Sequence, residues 1–144
     1  MAVRLVAIDL DGTLLNSDKR ITPRTLNVIH RANRMNVQVV IASARPPRSV
    51  QPLYDLCELG TIQINYNGAL IWDPTQKRVV LHRPIPTELA REIVAFARAT
   101  YPNILVSLEV LDKWYTDRVE AGYATETSKV FTPDRIAPIE DLLN

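Results

Sequence analysis

At 144 residues the chain has the length of one ordinary domain, enough to bury a substantial core. A formal net charge of +1 leaves no electrostatic case for a nucleic-acid or membrane partner, and 47% hydrophobic with 23% charged residues match a soluble globular chain. The single cysteine, Cys57, excludes an internal disulfide, and the lack of an 18-residue apolar window or an apolar leader predicts a cytoplasmic protein.

Leu5 to Ile8 form a short apolar run, which predicts a strand buried on both faces. The run leads into Asp9-Leu10-Asp11-Gly12-Thr13. Residues two apart in a strand share a face, so Asp9 and Asp11 are expected to project together with Leu10 turned away. At about 7 Å and an effective dielectric near 20, two such charges repel by about 2 kcal/mol. A cation, or a reaction that uses two carboxylates, gives a reason to accept that cost. Gly12 lets the chain leave the strand sharply.

Next comes a helix with Thr22 as N-cap, Pro23 at its first position, and Leu26, Ile29 and Ala32 or Asn33 on one face. The β-branched stretch 37–43 predicts a second strand. The prolines after Arg45 suit a helix entry, and Gly60 is the expected C-cap, with Cys57 a small core residue. Residues 61–82 alternate and turn: a strand to about Tyr66, a turn at Asn67-Gly68, a strand near Leu70 to Trp72, a turn at Asp73-Pro74 and a strand from Arg78 to His82. This β-α-β-α-β order predicts an α/β fold with a Rossmann-like, three-layer parallel-sheet core.

After Arg83 the pattern changes. A helix capped at Thr87 is expected to bury Leu89, Ile93 and Ala97 and to stop before Pro102. Two strands should flank a turn at Asp112-Lys113, and the tail carries a Thr132-Pro133-Asp134 turn and a brief apolar run. Pro84 and Pro86 make a hinge, dividing the chain into units 1–83 and 84–144. His30 and His82 have no metal-ligand company, and Trp72, Trp114 and Tyr115 read as packing residues.

The stretch "DLDGTLL" at 9–15 resembles the first motif of the haloacid dehalogenase-like (HAD) phosphatases. "VVIASARP" at 39–46 resembles the second motif in their Cof-type branch, which carries the type IIB cap, and "INYNGALIWD" at 64–73 resembles that branch's Asn-Gly-Ala hairpin. The order and spacing agree over most of residues 3–83. By this resemblance 1–83 is the N-terminal part of a HAD-like core and 84–144 a partial α+β cap.

The resemblance implies a magnesium-dependent phosphatase acting on small-molecule phosphomonoesters such as sugar phosphates. Asp9 is then the nucleophile that carries an aspartyl-phosphate, and Asp11 the general acid and base. Magnesium would sit on the Asp9 carboxylate and the Asp11 backbone carbonyl. Ser43 would hold a phosphate oxygen with the Ala44 amide beside it. The family commonly has threonine then glycine at these two positions. Two readings stand for Arg45, a substrate contact or a structural salt bridge, and two for Asn67, a pocket residue or a plain hairpin turn.

The family's later motifs, a lysine and an acidic cluster that completes the magnesium site, have no match here. Lys129, Glu140 and Asp141 stand in the wrong contexts. This favours a second reading, a catalytically incomplete fragment or a binding module, and a phosphomutase of the same branch is a third. Without the strands that follow the cap in the family, strand one becomes a sheet edge, and self-association along it is expected.

Overall fold

The computed structural model describes residues 2–120, 122 and 128–143. The chain divides into two compact units, Met1–Arg83 and Pro84–Asn144.

The first unit contains β1 (Leu5–Asp9), α1 (Pro23–Arg34), β2 (Gln38–Ala42), α2 (Pro47–Leu56), β3 (Gln63–Asn65), β4 (Leu70–Asp73) and β5 (Arg78–His82). One sheet runs in the order β1-β2-β3-β4-β5. The first three strands are parallel, whereas β4 and β5 fold back antiparallel, so the sheet is mixed rather than wholly parallel. Successive right-handed crossovers marching in one direction put their helices on one face. Accordingly Leu26, Ile29 and Ala32 of α1 and Val50, Leu53 and Tyr54 of α2 share a single core with Ile8, Val39 and Ile41.

The expected burial of β1 on both faces is not met. Among the described residues β1 pairs only with β2, at the sheet's edge, and Leu5 is 57% exposed while Ile8, on the helical side, packs into the core. Thr22 caps α1 as expected, its side chain accepting from the Thr25 amide at 3.2 Å. Gly60 is not the cap of α2. The C-cap is Cys57, and Glu58 takes the left-handed turn at φ 52°, with the Leu59 amide donating to the Tyr54 carbonyl at 3.0 Å. The turn must fall here because it folds Leu59 back onto the core, two residues before glycine is reached. Cys57 is buried in that core, and burial pushes its thiol pKa up, as befits a packing residue.

β2 and β3 pair only at Ala42 and Ile64, and side chains bridge the rest of the gap. The Tyr54 hydroxyl accepts from the Ile41 amide at 3.0 Å and donates to the Ile62 carbonyl at 2.5 Å, and Thr61 donates to the Val39 carbonyl. A helix residue thus replaces a missing rung of the sheet.

The second unit holds α3 (Thr87–Thr100), β6 (Ser107–Val110), β7 (Lys113–Thr116), β8 (Arg135–Ile136) and a single turn, α4 (Ile139–Leu142). β6 and β7 are antiparallel, and β8 adds parallel to β7. Three expectations shift. Thr87 is the first helical residue and Pro86 the cap position, with no side-chain cap bond. The buried residue of α3 is Val94, not the Leu89 and Ile93 stripe, which is about half exposed. Arg98 decides the orientation, since its guanidinium bonds Asp117 at 3.0 Å and Glu140 at 2.5 Å, fastening that side of the helix to the unit. The hairpin turn falls on Leu111 and Asp112, both at positive φ as the mirror-image turn requires, one residue earlier than expected.

Replacing Tyr54 with Phe leaves the Ile41 amide and the Ile62 carbonyl without this partner. Urea unfolding should show a loss of about 2 kcal/mol; an unchanged midpoint would mean that the bridge does not hold β2 to β3.

Candidate functional site

The C-terminal ends of the three parallel strands meet, the place where open α/β sheets bind ligands. Asp9 stands beside Ala42, and Ala42 beside Ile64. The Ser43 amide donates to the Ile64 carbonyl at 2.9 Å, and the Asn67 amide to the Ser43 carbonyl at 3.1 Å. Segments 9–13, 43–45 and 65–67 are therefore joined through their backbones.

Three leucines build the first segment. Leu10, Leu14 and Leu15 are buried in the core, and the Leu10 carbonyl accepts from the amides of Thr13, Leu14 and Leu15 at 3.3, 3.1 and 2.9 Å. Gly12 permits this tight ring at φ 81°. The strand ends at Asp9, so Asp11 lies in the loop rather than two positions along a continuing strand. Both acids are nonetheless exposed, and Leu10 points inward.

The two carboxylates have different company. Asp9 Oδ2 accepts from the Thr13 hydroxyl at 3.2 Å. Asp11 is gripped by two cations: Arg45 Nε and a terminal guanidinium nitrogen reach its two oxygens at 2.9 and 2.8 Å, and Lys19 Nζ reaches Oδ1 at 2.7 Å. Bonds from Arg45 first, then from Lys19, hold the Asp11 carboxyl down at about 2 against an ordinary value of 3.8.

Ser43 is buried, and its hydroxyl accepts from the Arg45 amide at 3.2 Å. Ala44 is exposed with no left-handed backbone, so the position that is commonly glycine in the family needs none here. Arg45 makes the structural salt bridge, to Asp11. Asn67 does form the turn, at φ 55° followed by Gly68 at φ 93°, and its amide bond to Ser43 also brings it beside the second segment.

Two residues were not anticipated. Asn65, fully buried at the end of β3, donates from Nδ2 to the Arg45 carbonyl at 3.1 Å. Lys19 sits at the tip of a closed turn in which Asn16 Oδ1 accepts from the amides of Asp18 and Arg20. The signals were present in the sequence, as a polar pair Gln63 and Asn65 on one side of an apolar strand and as an Asn-initiated turn with a basic tip.

Magnesium takes six oxygens and usually keeps several waters, drawing one or two carboxylates from protein. Among the described residues no group of three or more His, Cys, Asp and Glu gathers. Both Asp11 carboxylate oxygens are bonded by Arg45 and Lys19, so among the described residues a cation at this place would draw a carboxylate from Asp9, with the Asp11 carbonyl as a further oxygen.

Residues 6–142 match the haloacid dehalogenase-like hydrolase family. The chain belongs to this family. It is 35% identical over 113 residues to the 5-amino-6-(5-phospho-D-ribitylamino)uracil phosphatase YitU of Bacillus subtilis, a match covering 77% of this chain and 41% of that protein. The crystal structure of TM0651 from Thermotoga maritima superposes with a TM-score of 0.77 at 26% identity, over 99% of this chain and 52% of that one. The HAD subclass IIB sugar phosphatase BT4131 shares the fold at 19% identity, with a TM-score of 0.77 over 99% of this chain and 55% of that one. The chain therefore spans about half the length of these relatives. No helix among the described residues is long and apolar enough to cross a membrane.

An acid with a lowered pKa stabilises the fold when ionised. The Asp11 contribution should be complete above about pH 3.8 and fade as the pH falls through about 2. Arg45→Met should return the Asp11 midpoint toward 3.8 in a carboxyl-carbon NMR titration; a midpoint that stays put would assign the shift to something other than Arg45.

Proposed function

We propose that the chain carries the catalytic acids of a magnesium-dependent phosphatase of small phosphorylated metabolites, working through an aspartyl-phosphate. One observation supports this above the rest: two acids two residues apart, at the mouth of a parallel sheet, sit in opposite electrostatic settings. Among the described residues Asp9 is bonded by the neutral Thr13 hydroxyl where Asp11 is bonded by two cations, so the Asp9 carboxylate is the one available to attack phosphorus. Thr13 orients it. Asp11, as acid and then base, serves the leaving oxygen and the incoming water, and the Lys19 bond must loosen for it to carry a proton.

Ser43, the Ala44 amide and Asn67 form the phosphate side of the site in this reading, and Arg45 fixes Asp11 beside them. Bound magnesium, held by Asp9 and Asp11, neutralises phosphate charge. Residues 84–144 are the partial cap-like unit of this reading. The substrate class follows relatives named for a phosphoribitylamino-uracil and for sugar phosphates.

A second reading is a binding module without turnover, since among the described residues no third metal-ligating side chain gathers with Asp9 and Asp11. Assay of a generic phosphomonoester with magnesium, in wild type and Asp9→Asn, separates the two. The enzyme reading expects the variant to lose activity on the order of 10³-fold; equal background rates in both proteins leave only the binding module.

We further infer that β1 pairs with another strand along its open edge, in a second copy or another segment, in a cytoplasmic setting. Lys or Pro introduced at Ala7 should break such pairing. Light scattering that gives a monomer for wild type at all concentrations, with β1 amides exchanging freely, would exclude it.

A further inference from the structure

We propose that Lys19 is a phosphate-binding residue of this site, a mobile cation that leaves Asp11 for the phosphate of an incoming ligand while Arg45 stays in place. The proposal rests on the phosphomonoester reading above. It begins from an inequality between the two cations. Arg45 bonds both oxygens of Asp11, is the less exposed of the two at 28%, and has its backbone fixed at both ends: its amide donates to Ser43 Oγ and its carbonyl accepts from Asn65. Lys19 makes one contact, to an oxygen that Arg45 already bonds, and its side chain is 55% exposed.

Withdrawing Lys19 therefore leaves Asp11 with both of its guanidinium bonds. A phosphate offers more charge and several acceptor oxygens, so it competes with a carboxylate oxygen that Lys19 already shares with Arg45. The backbone does not need to move. Residues 16–20 are closed by the Asn16 amide to the Arg20 carbonyl and the Lys19 amide to the Asn16 carbonyl, both at 3.0 Å, besides the two bonds to Asn16 Oδ1. Only the four-carbon stem has to swing, carrying a point charge with three donors that accepts many geometries.

The position of the tip gives the ligand. Within the same loop system lie the exposed carboxylate of Asp9, the buried hydroxyl of Ser43 and the exposed backbone of Ala44. A positive charge moving away from Asp11 among these groups meets an anion placed against Asp9, which is where a phosphorus under attack must stand.

Calorimetric titration of the 144-residue chain with inorganic phosphate at fixed magnesium tests the assignment. Lys19→Met should weaken phosphate about fivefold, the worth of one exposed charge contact, and Lys19→Arg should remain within about twofold of wild type. The urea midpoint of Lys19→Met reports whether the fold is kept, and Lys19→Gln serves if it is not. With a phosphomonoester, the same loss of charge should raise KM. Phosphate affinity unchanged in the neutral variants, no measurable phosphate binding by wild type, or a fall in kcat at constant KM each overturns the proposal. Turnover that still depends on Asp9, with phosphate affinity indifferent to Lys19, discards the role of Lys19 alone. Phosphate binding that depends on Lys19, without turnover dependent on Asp9, discards the enzyme reading alone.

Discussion

The bidentate bond between Arg45 and Asp11 spans 34 residues of sequence and joins the loops that follow β1 and β2. Its strength depends on geometry as much as charge, because a planar fork bonds two carboxylate oxygens only from one direction. That direction is set on both sides. Leu10, Leu14 and Leu15 sink into the core and hold the loop that carries Asp11, while Ser43 and Asn65 pin the amide and carbonyl of Arg45. Apolar burial thus fixes where each loop starts, and polar cross-links fix how its tip is aimed.

The same arrangement gives two chemically identical side chains different surroundings. Two carboxylates with the same neighbours would share one electrostatic fate, whereas separated environments permit the separate roles proposed for them. Here the asymmetry arises from short-range choices. Thr13 is four residues from Asp9 and donates one neutral hydrogen bond, whereas Asp11 draws a guanidinium from the next βα loop and an ammonium from its own. Loss of Arg45 would therefore disturb both the charge of Asp11 and the route by which β2 communicates with β1.

Much of this was legible in the sequence because it is local. The cap at Thr22, the strand at Arg78 to His82, the Asn67-Gly68 turn and the inward face of Leu10 all follow from propensity, period and backbone preference over a few residues. What stayed hidden depends on distant partners. Glu58 rather than Gly60 takes the left-handed turn because the core calls Leu59 back, and tertiary packing overrides the glycine preference. The face that α3 buries is chosen by Arg98 reaching Asp117 and Glu140, not by the apolar stripe alone. Asn65 and Lys19 belong to the same class: each acts through a residue from another loop, so its role exists only once the strands are aligned.

The edge position of β1 ties this site to the sheet as a whole. A strand paired on one side has one row of amides and carbonyls unused, and natural edges are blunted by charge, proline or a bulge. Along β1 the residues are Leu5-Val6-Ala7-Ile8, with the charges Arg4 and Asp9 only at its ends. Nothing in that run discourages a further strand, and the half-exposed Leu5 would gain from one. Asp9 is the last residue of the same strand, so any partner that completes the edge also fixes the direction in which this carboxylate leaves the sheet. Chemistry at the mouth and pairing at the edge are thereby two demands on five residues, which accounts for a strand that is apolar along its length and acidic only at its end.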